Sequence, residues 1–194
     1  LIETMTDNPD IGVVTPLIRE YPDTESIWFW RGEIDWRTAN ADHANVPETI
    51  PEGLVETDYI PNCCSLFRTA VFENVGFLPE RYFIYYEDVD HGVDIRDAGY
   101  RLVTDTATTV YHEQGGTSGD ELRPLFSYYN ARNLLLFARR FNDRLDSAFP
   151  LYIAVWIGKQ IGFRALNGAV GGIASFIWGV FDGARGRTGR GPYP

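Results

Sequence analysis

An α/β fold ending in helices is what the sequence predicts, and three features carry that prediction. An apolar stretch, residues 11–15, directly follows residues 1–8, which read as the last turns of a helix. Val89, Val93, Ile95 and Ala98 recur at helical spacing, Gly99 supplies the stop, and two strand-like segments, 100–104 and 108–112, come next. From residue 122 onward the apolar spacing is helical.

The first buried strand is expected to end before Pro16, because proline removes a ladder donor. Residues 27–30 and 34–36 read as two short strands around a Gly32 turn, followed by a polar loop to about Gly53. An apolar strand is expected at 63–67, with Thr69 as N-cap of a short helix ending at Gly76. The aromatic run 82–86 then breaks into acid at Glu87-Asp88. Gly115, Gly116 and Gly119 suggest a hinge, and Leu122, Leu125, Phe126, Tyr129 and 134–137 a long helix into Arg139-Arg140. Residues 147–194 read as two amphipathic or shallowly buried helices on the cytoplasmic face of the cell membrane. The longest uncharged run, 165–181, is interrupted upstream by Lys159, Gln160 and Arg164, and is at the lower limit for a single span.

The chain of 194 residues has 44% apolar residues, enough for an ordinary core. Its net charge of −10 is unevenly spread: after residue 146 Asp182 stands alone against Lys159, Arg164, Arg185, Arg187 and Arg190. An acidic body argues against nucleic acid as a partner, since phosphates are gripped by lysine and arginine. The basic tail suits anionic lipid. A lysine-poor, acidic surface also suits a cytoplasm of very high salt. Adjacent Cys63 and Cys64 make a poor disulfide and are expected as reduced, buried thiols. A start at Leu1, without a signal-peptide pattern, is expected of a fragment.

Glu87, Asp88 and Asp90 sit where the aromatic run meets a helix N-terminus. Like charges raise a carboxylate's pKa there, and helix-end N–H groups lower it; an ionised, aimed carboxylate is what a general base needs. On spacing alone the same residues also fit a capping Asp88 flanked by solvated first-turn acids. His112, at a strand end beside Glu113, suits either a divalent-metal ligand or a structural hydrogen bond. Trp28, Trp30 and Trp36 suit a sugar-stacking platform or, more commonly for strand aromatics, the core.

The ordered set Phe77–Asp90, Arg96–Arg101, Val110–His112 and Gly115-Gly116, together with Pro9–Val14, Gly32–Trp36 and Tyr128–Asn133, closely resembles family-2 glycosyltransferases of the rhamnosyltransferase type. The resemblance covers nearly all of residues 1–146 and implies the C-terminal part of a GT-A-like (Rossmann-like) catalytic domain. It implies Asp88 as the catalytic base with Glu87 beside it, His112 as ligand of Mg²⁺ or Mn²⁺, and Trp36, Asp90 and Arg132 as acceptor-side residues. The implied reaction is an inverting transfer of a sugar, with rhamnose suggested by the family likeness, from a nucleotide-sugar donor to a glycan or lipid-linked acceptor in polysaccharide or glycoconjugate synthesis.

The family's Asp-x-Asp motif and nucleotide-binding first half are absent from this sequence, so donor binding is expected only together with that half. Asn62 replaces a common glycine, and His91-Gly92 a common Leu-Cys, which bears on acceptor-pocket shape. The competing class is a noncatalytic remnant or partner subunit that keeps the fold. A metal-dependent phosphoesterase would need a second His/Asp cluster, which the sequence lacks.

Overall fold

The computed structural model describes residues 1–113 and 122–193; the expected hinge at Gly115, Gly116 and Gly119 lies outside them. The chain divides into two compact units, one of Leu1–Ile34, Ala41–Pro79 and Asp88–Gln114, the other of Asp35–Asn40, Glu80–Glu87 and Gly115–Pro194.

The first unit is built on a five-stranded mixed sheet. Its long strands β1 (Ile11–Tyr21) and β7 (Arg101–Glu113) run parallel; β2 (Ile27–Phe29) and β6 (Leu66–Phe67) pair antiparallel with β1, and β5 (Leu54–Glu56) pairs antiparallel with β7. The first eight residues of β1 are all buried, so its near-continuous apolar run marks a strand covered on both faces. One cluster, Val13, Ile60, Val71, Ile95 and Leu102, packs with Phe67, Val75 and Tyr100. A second, Met5, Ile11, Val14 and Val103, packs with Leu1 and Leu66.

Strand β1 continues through Pro16 to Tyr21, six residues beyond its expected end at 15. The pairing with β7 jumps there: Pro16 lies opposite Asp105 and Leu17 opposite Thr109. A bulge is where a sheet tolerates proline, because the missing donor falls at a break in the ladder. The same bulge makes β7 read as two strands in sequence. Asp105 turns its carboxylate onto the Ala107 N–H, and the Thr106 hydroxyl reaches the Pro51 and Gly53 carbonyls.

Helix α1 (Ile2–Asp7) is tied to the start of β1 by Arg68, whose guanidinium donates to the carbonyls of Met5, Asn8 and Ile11. Helix α2 (Thr69–Asn74) takes Arg68 rather than Thr69 at its N-cap, and Gly76 follows it at φ 99°. The expected strand at 63–67 shrinks to Leu66–Phe67; Cys63 is exposed and Cys64 half-buried, both as free thiols. Within the expected long loop, β4 (Asn40–His43) forms a two-stranded sheet with β3 (Gly32–Asp35).

Helix α3 (Glu87–Asp97) buries Val89, Val93 and Ile95, and Gly99 at φ 89° ends it as the sequence predicts. In the second unit α4 (Pro124–Arg140) is followed by α5 (Phe149–Leu166) and α6 (Val170–Ala184). Helix α6 packs on α4 through glycine. A Cβ at Gly172 would stand 2.6 Å from the Leu122 carbonyl oxygen, and one at Gly183 would stand 2.8 Å from that of Arg132. Buried Asp182 accepts the Tyr128 hydroxyl at 2.6 Å and faces Arg187 at 3.5 Å.

The run 165–181 is broken between the two helices by Gly168 at φ 67°, and no helix among the described residues is long and apolar enough to cross a membrane. The mixed sheet with helices after it agrees with the expected α/β class and is compatible with a partial Rossmann-like glycosyltransferase fold.

Candidate active site

The segment before α3 has an unusual backbone. Phe83, Tyr85 and Tyr86 adopt φ of 68°, 64° and 73°, a left-handed conformation that bulky residues avoid at about 1–3 kcal/mol each. Such strain persists only where surrounding bonds dictate it. Here Asn133 on α4 donates from its amide to the carbonyls of Tyr82 (3.2 Å), Ile84 (2.7 Å) and Tyr85 (2.9 Å). Arg132 donates to the Tyr82 carbonyl at 2.6 Å. The rings are wedged as well: Phe83 stacks on Tyr129, Tyr85 meets Phe126 edge-on, and Tyr86 packs on Phe137.

This loop delivers Glu87 to the first position of α3. Glu87 is half-buried, and its Oε2 is shielded from solvent with no hydrogen-bond partner among the described residues, as is the Tyr85 hydroxyl. Burial pushes the Glu87 carboxyl above the usual glutamate range, opposed by a backbone hydrogen bond, and burial raises the Tyr85 phenol, with the Glu87 charge adding to it. Unpaired buried polar atoms are costly, so a pair of them in one strained loop points to a ligand-facing role.

Asp88 is half-buried, and its Oδ1 accepts the Val89 N–H at 2.8 Å, a bond local to the helix start. It borders a narrow cavity with Asn62, Phe67, His91 and Gly92. Asn62 and His91-Gly92, the positions that depart from the family pattern, thus line the same cavity as Asp88. A Cβ at Gly92 would be a tight fit, 3.0 Å from the Asp58 carbonyl oxygen. His91 is buried, bonds the Gly76 carbonyl at 3.0 Å, and is stacked with Phe67; burial lowers its pKa.

His112 is half-buried near the end of β7, opposite Glu20 in the parallel register, with its ring 4.8 Å from Trp28. The contacts that lead from α3 to it run through Tyr59, His43 and Trp28 in turn. Among the described residues no three His, Cys, Asp or Glu side chains converge on one point.

The residues expected on the acceptor side fall in different surroundings. Asp90 is fully buried in α3. Arg132, expected at the acceptor, is instead fully buried within its unit, donating to Asn133 Oδ1, the Tyr82 carbonyl and the Gly189 carbonyl, with the Tyr128 and Tyr129 rings against it. Trp36 stacks on Phe137 with Arg144 over its face. Trp30 is buried and donates to the Ala44 carbonyl, so it belongs to the core, whereas Trp28 stands beside His43 and His112. Asn133 belongs to the family-like stretch Tyr128–Asn133 without being expected as a site residue; in sequence it is an amide within the apolar face of a helix.

No family model matches the chain. Over 158 residues it is 27% identical to the N-acetylglucosaminyl-diphospho-decaprenol L-rhamnosyltransferase of Mycobacterium tuberculosis, in strain CDC 1551 / Oshkosh and in strain ATCC 25618 / H37Rv, a match covering 72% of this chain and 50% of the relative. Over 142 residues it is 23% identical to the low-salt glycan biosynthesis hexosyltransferase Agl10 of Haloferax volcanii, covering 71% of this chain and 45% of the relative. The chain spans about half the length of the curated relatives it matches. Both kinds of relative are sugar transferases, and at that coarse level the similarity supports a glycosyltransferase relationship for this chain.

Proposed function

We propose that this chain is the acceptor-side part of an inverting, family-2-like glycosyltransferase that moves a sugar, rhamnose being the first candidate, from a nucleotide-sugar donor onto a glycan or lipid-linked acceptor. The observation that carries the proposal is the strained loop that ends in Glu87 and Asp88, with a buried carboxylate oxygen on Glu87 that has no partner among the described residues. The names of the relatives support the substrate class, and their greater length leaves room for donor-binding residues outside this chain.

In this reaction Asp88 takes the proton of the acceptor hydroxyl as its oxygen bonds to the anomeric carbon, and the bond from that carbon to the diphosphate oxygen breaks. Attack opposite the leaving group inverts the anomeric configuration. Glu87, the second carboxyl of the pair, stands directly before Asp88 at the first position of α3. His112 would hold a Mg²⁺ or Mn²⁺ together with diphosphate oxygens. That ion, when bound, neutralises charge on the departing diphosphate.

The exposed side chains of Leu151, Tyr152, Val155, Phe163 and Leu166 on α5, with Ile177, Trp178 and Phe181 on α6, support membrane-surface attachment near a lipid-linked acceptor. Transfer by the full-length protein onto a polyprenyl-diphosphate-linked sugar, followed by NMR of the product's anomeric proton, tests the proposal. An inverted linkage supports it; a retained configuration, or no transfer to any glycan or lipid-linked acceptor, counts against it.

A further inference from the structure

We propose that the C-terminal segment Arg187–Tyr193, with Arg132 and Asn133, forms a clamp that positions the loop before α3, making the far end of the chain a positioning element for the acidic pair. The inference rests on the assignment of Glu87 and Asp88 to the chemistry.

Asn133 gathers three carbonyl acceptors on the left-handed loop, those of Tyr82, Ile84 and Tyr85. Arg132 spans the other side: one guanidinium nitrogen donates to the Tyr82 carbonyl on the loop, another to the Gly189 carbonyl, both at 2.6 Å. The fork of a guanidinium is what permits one side chain to join two backbone segments in fixed geometry. Gly189 returns the connection, its N–H donating to the Arg81 carbonyl at 2.7 Å.

Two further residues fasten the segment. The Gly191 N–H donates to the Tyr129 hydroxyl at 2.8 Å, and that hydroxyl donates to the Tyr193 carbonyl at 3.1 Å. Tyr193 packs on Tyr128, and Arg190 stands over the Phe83 ring, on the side chain of a left-handed residue. Gly191 is needed for this approach, because a Cβ there would overlap the Tyr128 ring.

Residues 81–85 are therefore held from two directions, by a helix and by the chain's last residues, and their strained geometry sets the direction in which Glu87 leaves the loop. A segment that only covered the core would have no reason to bond both the loop's carbonyls and the arginine that grips it. Arg132 and Asn133 act through the loop, so they are positioning residues rather than catalytic ones.

The experiment uses the full-length protein in four forms: parent, Arg132→Lys, Gly191→Ala and a deletion of residues 188–194. Hydrogen exchange is followed by mass spectrometry on peptides covering 80–88, with β1 and β7 as reference, alongside kcat and acceptor KM. The clamp predicts exchange at 80–88 faster by roughly ten- to a hundredfold in all three variants, with β1 and β7 unchanged. It also predicts that kcat falls by more than KM rises.

Gly191→Ala and the deletion leave Arg132 in place, so they test the strap even if Arg132→Lys folds poorly. Unchanged exchange at 80–88 in these two variants, or a rise spread evenly over the protein, overturns the proposal. The functional assignment fails separately. If exchange rises as expected but Asp88→Asn transfers sugar normally, the clamp stands and the assignment of the acidic pair falls. If Asp88→Asn is inactive while the deletion changes neither exchange nor kcat, the reverse holds.

Discussion

Replacing Gly179 with alanine tests how the C-terminal helices are disposed. Gly179 lies in the middle of α6, and an added Cβ would overlap the Tyr128 carbonyl oxygen while standing 3.0 Å from the carbonyl carbon and 3.1 Å from Ala131 Cβ. Those atoms belong to the backbone and first side-chain carbon of α4, so no rotamer change relieves the overlap; the helices must separate. Overpacking of this kind costs about 1–3 kcal/mol, and a rigid neighbour favours the upper end. Alanine recovers about 1 kcal/mol of helix propensity. The net is a loss of roughly 2 kcal/mol. At roughly 2–4 °C per kcal/mol for a chain of this size, the Tm should fall by about 4–8 °C.

Gly158 on α5 is the matched control, because a Cβ there meets nothing within 4 Å. Its replacement by alanine should stabilise by about 0.5–1 kcal/mol. Calorimetric melts of the two variants give opposite signs if α6 packs on α4 through its glycines. Equal stabilisation by both would refute that packing and return α6 to the lipid-lying helix expected from sequence.

Glu87→Gln removes a carboxyl whose folded pKa is raised by burial. Such a group favours the folded state below its unfolded pKa, and that contribution is lost as pH rises through the folded value. Denaturation curves should therefore show Glu87→Gln more stable than the parent at neutral pH, with the gain vanishing in acid below the usual glutamate range. His112→Ala should raise the Mn²⁺ concentration for half-maximal transfer about tenfold or more, read from a metal titration of initial rates. For membrane attachment, deleting the tail would strip α6 from α4, so point changes are the cleaner test. Leu151→Gln, Val155→Gln and Leu166→Gln on exposed positions of α5 should shift the protein out of the floating fraction in a vesicle gradient, and unchanged flotation would refute attachment through α5.

The helices were legible because their signals are local. Gly99 and Gly76 stop α3 and α2 at left-handed positions that glycine adopts freely, and the apolar spacing around Tyr129 and Leu134 marks α4. The strands were less so. Pro16 reads as a terminator, yet β1 runs past it, because the compensating bulge lies some ninety residues away in β7. Likewise Cys63 and Cys64 read as part of a strand, although only Leu66 and Phe67 pair with β1.

At the site, the acidic pair and its place at a helix start were readable from residues 82–90. The conformation of that loop was not. Phe83, Tyr85 and Tyr86 carry no local preference for positive φ, and bonds and ring contacts from distant residues, Asn133 and Arg132 among them, impose it. The part played by Arg132 was hidden for the same reason: the family resemblance implies an acceptor-side residue, and only the carbonyls of Tyr82 and Gly189 around it reveal the loop-holding contacts. His43, exposed beside Trp28 and Phe29, and His91, buried against Phe67, have no spacing that sets them apart from His112.

The central claim is that this chain supplies the base for sugar transfer, and Asp88→Asn in the full-length protein tests it most directly. Asparagine keeps the size of the side chain and can still accept the Val89 N–H, but it cannot take a proton. With folding checked by circular dichroism and an unchanged melting curve, kcat for transfer to the lipid-linked acceptor should fall by about a hundredfold or more. Transfer within a few-fold of the parent would contradict the account.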